Sequence, residues 1–384
     1  MRAGSLLRSN VGLPAFYLAI AAALWLPGVS GAQPAEQKRY PWDHQPGECF
    51  QPSTQADDLT RLSCAAPGWT DFAQAKTNFD RLLADPDYDL IERAANDLGF
   101  SAERFASGEY LFEALYLSMV GNFQITGVQG ARQAAEWTAA KGGEGYSRLA
   151  EALVYYGQAW NVRGSRAART VSPEAWDLFY SLLEKSDATL NVSSEKLRRT
   201  GPWHALKLSI AFHHPRYKAD RLTLLKSAIA EWPDYLAVYT IPMEILHPRR
   251  GGSFELMEGV AQFALENTRT KHGAAIYALA YEWIFRMDHR HSIAESNVDW
   301  PTMRLGFRDV ETKRMVRPWM WKNFAGLACQ VGDRTEARRL YALYDKSEDA
   351  ASRTDSDPCR TYANAPSDAK DAIGASGARG PRRP

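Results

Sequence analysis

Trp319-Met-Trp-Lys-Asn-Phe-Ala-Gly-Leu-Ala-Cys-Gln-Val-Gly-Asp-Arg-Thr-Glu-Ala-Arg-Arg-Leu-Tyr-Ala-Leu-Tyr344 reads as two short amphipathic helices folded back on each other. Trp321, Phe324, Ala325 and Ala328 recur at the helical spacing i, i+3, i+4, i+7. Ala337, Leu340, Tyr341 and Tyr344 repeat it beyond a Gly332-Asp333 break. Each half carries one apolar stripe and cannot bury it alone. Such a pair has to stack on neighbours, which is the logic of a helical repeat.

The same spacing recurs upstream. Phe72, Ala75, Phe79, Leu82 and Leu83 form one stripe; Ile91, Ala94, Ala95 and Leu98 form the next, with Gly99 as a stop. Leu111, Leu115 and Met119 mark a third helix, residues 120–131 read as loop, and Ala131 to Ala140 as a short helix. Leu149, Ala152, Leu153, Tyr156 and Trp160 form a clean stripe. Ser172-Pro173-Glu174 opens another helix, with a capping serine and a proline suited to the first turn. It carries Trp176, Phe179, Tyr180 and Leu183. Further stripes run over Leu225–Trp232, Leu256–Ala264 and Ala274–Phe285, and strand-like alternation is nearly absent. The expectation is an all-α chain from 70 to 345, built as a tetratricopeptide-like array of antiparallel helix pairs, an α-solenoid. Residues 33–69, dense in proline, read as an irregular extension; residues 346–384, rich in Ser, Asp, Ala, Gly and Pro, read as a disordered tail tethered at Cys359.

Asn323 to Tyr341 resembles a tetratricopeptide helix–turn–helix, with Ala328 and Ala337 where such helices approach closely. A wider stretch, residues 110–265, resembles an uncharacterised bacterial family of tetratricopeptide-like helical proteins. It does so through Ala159-Trp-Asn-Val-Arg-Gly-Ser-Arg-Ala-Ala-Arg-Thr-Val-Ser172, Trp232-Pro-Asp-Tyr235 and Leu246-His-Pro-Arg-Arg-Gly-Gly-Ser253. The resemblance implies the fold and carries over no functional residue.

Residues 1–32 look like a signal peptide. Arg2 and Arg8 precede an apolar run from Ala15 to Leu26, and Ser30-Gly31-Ala32 offers small residues for cleavage. The run is short of the roughly 20 apolar residues a spanning helix wants. A periplasmic or secreted protein is expected; an uncleaved inner-membrane anchor is the alternative. Removing the leader leaves 44 basic against 45 acidic residues. That balance argues against nucleic-acid binding, which needs a basic surplus. Four cysteines after an export signal favour disulfides, and proximity along the chain favours Cys49–Cys64 and Cys329–Cys359. The 15-residue separation of the first pair would contribute ~3 kcal/mol in the chain-entropy model.

Two loops combine arginine with glycine. One holds Trp160, Arg163 and Arg166; the other holds Arg249, Arg250 and Ser253. A guanidinium fork beside free backbone N–H groups suits a carboxylate or phosphate. The bland counterpart is a pair of helix connections whose arginines meet neighbouring acids. His213-His214 and Asp288-His-Arg-His291 do not make a metal-ligand pattern with support from HExxH or paired cysteines. Glu92 with Asp97 reads as an ordinary solvated helix face. No P-loop, GxSxG or GxGxxG occurs, and no catalytic residue, metal or cofactor is expected. The reading is an exported scaffold for a protein or peptide partner. The runner-up is an all-α enzyme or anion binder acting through the two arginine loops.

Overall fold

The computed structural model describes residues 72–365, apart from 85, 100, 102–103, 106, 166–167, 288–290, 314, 318 and 348–356. The expected leader, the expected Cys49–Cys64 pairing and Arg166 lie outside the described residues. Among those described, regular structure is all-helical with no strand, and one isolated bridge joins Arg104 and Tyr110. No helix among them is long and apolar enough to cross a membrane. The chain divides into two compact units, the second beginning at Met243.

The first unit contains α1 (Phe72–Ala84), α2 (Tyr88–Leu98), α3 (Leu111–Met119), α4 (Val128–Lys141) and α5 (Tyr146–Arg163). It continues with α6 (Pro173–Asn191), the one-turn α7 (Glu195–Arg198), α8 (Gly201–His213) and α9 (Arg221–Glu231). α10 (Leu236–Leu246) crosses the division, with Pro242 inside it. The centre is α5, which packs on α2, α4, α6 and α8. Leu149, Ala150, Ala152, Leu153, Val154 and Tyr156 are all buried. Apolar residues that close together cover every side of a helix, as an interior helix requires.

Residues 120–131 are not the loop that their glycines imply. Val120–Ile125 prolongs α3 as a π-helical turn, and α4 begins at Val128; only Thr126 and Gly127, the latter at φ 62°, break the run. Gly157 of α5 faces that turn so closely that a Cβ there would strike the Gln124 backbone. Glu92 is likewise no solvated face. Its carboxylate accepts from Trp137 Nε1 (3.0 Å) and from the Tyr146 backbone N–H (3.2 Å). Burial pushes that carboxyl above the usual range, against the pull of these donors. Buried Asp234 receives Arg104 Nη2 at 2.8 Å and the Tyr110 hydroxyl. It anchors Trp232-Pro-Asp-Tyr235 among the rings of Tyr110, Phe112 and Trp232.

The second unit contains α11 (Phe254–His272), α12 (Ala275–Met287), α13 (Trp300–Thr312), α14 (Met320–Gln330), α15 (Arg334–Asp345) and α16 (Pro358–Asn364). α14 and α15 are the two halves of the opening stretch, and all eight stripe residues named there are buried. Gly332 adopts φ 80° between them, and Asp333 caps α15 by accepting from the Glu336 N–H at 3.0 Å. α11 packs on α12, α12 on α13 and α14, and α14 on α15 and α16. The tail is therefore more than a tether: residues 358–364 form a helix docked on α14 and α15. Cys329 and Cys359 are disulfide-bonded, with Cα atoms 5.8 Å apart.

Candidate functional site

The densest unusual chemistry in the first unit lies where α5 ends, α6 begins and α8 ends. Trp160, buried near the end of α5, meets Phe179 edge-on at 5.4 Å and His213 at 4.9 Å. One turn on, the Arg163 guanidinium lies 5.8 Å from the Trp160 ring and 5.5 Å from the Trp176 ring, and donates to the Gly164 carbonyl at 2.9 Å. Trp176 stacks on Tyr180, centroids 5.5 Å apart and planes 21° apart. Tyr180 touches the His214 ring at 4.9 Å, and His214 touches Tyr217 at 5.2 Å. The result is a ladder of rings with a cation at each end, because Arg216 lies over Tyr217. Trp176, Tyr180 and Tyr217 are half-exposed, so part of each side chain is within reach of an incoming group.

The adjacent histidines point different ways. His213 Nδ1 lies 2.7 Å from the Ser209 carbonyl, which places a proton on that nitrogen, and 3.2 Å from the Tyr156 hydroxyl. His214 is buried and its Nδ1 accepts from the Arg216 N–H at 3.1 Å, so this nitrogen carries a lone pair. Burial lowers the His214 pKa, while Glu184, 3.5 Å from Nε2, pulls the other way. Glu184 also holds Arg216 at 3.1 Å. Below the ladder, Asp187 gathers Lys207, the Tyr217 hydroxyl (3.0 Å) and Asn191 (3.0 Å). Burial, then Asp187, pushes the Tyr217 phenol well above its ordinary pKa. This polar base fixes the rings, and what the rings offer is recognition of planar or cationic groups by stacking.

The second arginine loop belongs to the second unit, so each loop stands by itself. Arg250 donates to Glu244 at 2.7 Å, and Arg249 is exposed. Ser253 caps α11, accepting from the Leu256 N–H at 3.2 Å. His247 is buried, 5.1 Å from the His291 ring. Asp288 and His289 lie outside the described residues, and among those described no three His, Cys, Asp or Glu side chains are placed to hold a metal.

Sequence reasoning found Trp160 and Arg163 and missed Trp176, Tyr180, His214 and Tyr217 as their companions. A signal existed. His214-Pro-Arg216 recurs 33 residues on as His247-Pro-Arg249. In both copies the buried histidine accepts from the arginine N–H, and proline opens a three-residue 3₁₀ turn. No protein-family model, curated protein or solved structure matches the chain.

Proposed function

We propose that this is an exported interaction scaffold, a tetratricopeptide-like array of helix pairs that binds a peptide or protein partner. It is further proposed to be akin to the bacterial helical family that residues 110–265 resemble. The carrying observation is the neighbour pattern of the second unit. α12, α14 and α16 pack in succession, and α13 and α15 each pack on the helix before them. A helix that meets chiefly its nearest successors is the organisation of a repeat array. The His-Pro-Arg recurrence supports the same reading, at a spacing near the ~34 residues of a tetratricopeptide. Helix starts at 275, 320 and 358 make the later repeats longer and uneven.

The half-exposed ladder of Trp176, Tyr180 and Tyr217 is the docking surface in this reading, since aromatic and arginine side chains dominate interface anchors. The anion-binding alternative gains little support, because Arg250 is engaged by Glu244 and Arg163 by the Gly164 carbonyl and two indoles. The test is affinity capture from envelope extract on the mature protein, with Trp176→Ala/Tyr180→Ala as the comparison. A partner retained by the parent and lost from the double variant, with the helical circular dichroism unchanged, is the expected result. A partner held equally by both would remove the ladder from the interface, and turnover of a small substrate without capture would favour an enzyme.

A further inference from the structure

We propose that the Cys329–Cys359 disulfide is a redox-sensitive latch that holds α16 over the α14–α15 pair. α16 has seven residues, too few turns to persist unaided. Its one buried side chain is Ala363. Polar and cation–ring contacts add to it, among them Arg334 over the Tyr362 ring at 4.8 Å and Arg360 over the Tyr341 ring at 4.9 Å. Arg360 pairs with Asp345 at 2.8 Å, and the Tyr341 hydroxyl donates to Asp357 at 2.7 Å. Arg338 Nε donates to the Ala363 carbonyl at 2.9 Å, and Tyr362 to the Gly332 carbonyl at 3.0 Å. Half-exposed contacts of this kind each shift an equilibrium by no more than a few-fold. The disulfide closes a 30-residue separation, and in the chain-entropy account such a link is worth roughly 100-fold or more. The covalent bond is therefore the largest single contribution to the hold on α16.

Both cysteines are half-buried, within reach of a small or protein dithiol. A thiolate of that dithiol attacks one sulfur, giving a mixed disulfide and expelling the other cysteine as a thiolate, which takes up a proton. The second thiol then displaces the first cysteine. Two electrons and two protons pass to the cysteine pair, and the dithiol leaves as its own disulfide. Released, α16 lifts away and bares the faces of Tyr341 and Tyr344, over which Arg360 now sits.

Hydrogen exchange read by mass spectrometry on the full chain tests this, comparing the oxidised protein, the protein reduced with dithiothreitol, and Cys359→Ser. Amides of residues 359–364 should lose protection by roughly 100-fold in the last two, with α12 and α13 unchanged. Retained protection of α16 after reduction would overturn the latch. So would matching losses across α11 to α15, which would make the bond a general staple of the unit. Arg360→Ala with the disulfide intact should leave α16 protected; release by that change alone would also overturn the proposal.

Discussion

His204 is 4% exposed inside α8, and burial drops its pKa to about 4. The fold accepts the neutral ring. A pKa below the unfolded value of about 6.5 means that stability is fully present above pH 6.5 and is lost as pH falls towards 4. The loss across that window is about 3 kcal/mol. Half-buried Glu92 and Glu244 and buried Glu282 are shifted upward and work against this trend, since a raised carboxyl favours folding as pH falls. A difference measurement removes them. His204→Leu should unfold in urea at nearly the parent midpoint at pH 7 and become progressively more stable than the parent down to pH 4. Parallel pH curves for the two proteins would refute the assignment. At this scale Trp160 and Arg163 were legible because they close one helix within a few residues. Their companions His213, Trp176 and Tyr180 come from other helices, and no local spacing announces such a meeting.

Helices buried on one side announce themselves, and helices buried on all sides do not. α14 and α15 show a stripe because their other faces meet water. α8 buries Pro202, Trp203, His204, Ala205, Leu206, Leu208, Ile210 and Ala211, with Lys207 and Ser209 half-buried between them, so buried residues fall on every side and no single stripe can be read. α10 hides in the same way, and its internal Pro242 obscures it further. Glycine misleads at the π turn for a related reason: it serves close approach there as well as turning. This yields a contrast between two helical glycines. Gly157→Ala gains the usual helix propensity of alanine, yet its methyl group meets the Gln124 backbone, which has no flexible end to move aside. Overpacking of that kind costs about 1–3 kcal/mol and outweighs the propensity gain. Gly259 in α11 has nothing within 4 Å of its added Cβ. Gly259→Ala should therefore raise stability by about 0.5–1 kcal/mol. Urea midpoints moving in the same direction for both would show that close approach does not decide the sign.

Over the whole chain, the sequence makes helices plain and leaves their arrangement open, because an amphipathic stripe says that a face is covered without saying by what. The two units answer differently. In the first, α5 touches four other helices, so removing any one of them exposes a helix that the rest also need. In the second, contacts run along the order α12, α14, α16, and a helix can be lost from the end while those before it keep their neighbours. Stability in such a line is a sum of local and nearest-neighbour contributions, and opening propagates from the end. With the disulfide intact, hydrogen exchange in the second unit should be graded, fastest in α15 and slowing through α14 and α13 to α12. In the first unit, the core amides of α5, α6 and α8 should exchange together, since α5 and α8 cannot open separately without parting Trp160 and Tyr156 from His213. A flat profile across α12 to α15 would mean that the second unit opens as one body. It would then behave as a closed bundle, and the repeat-array reading would lose the observation on which it stands.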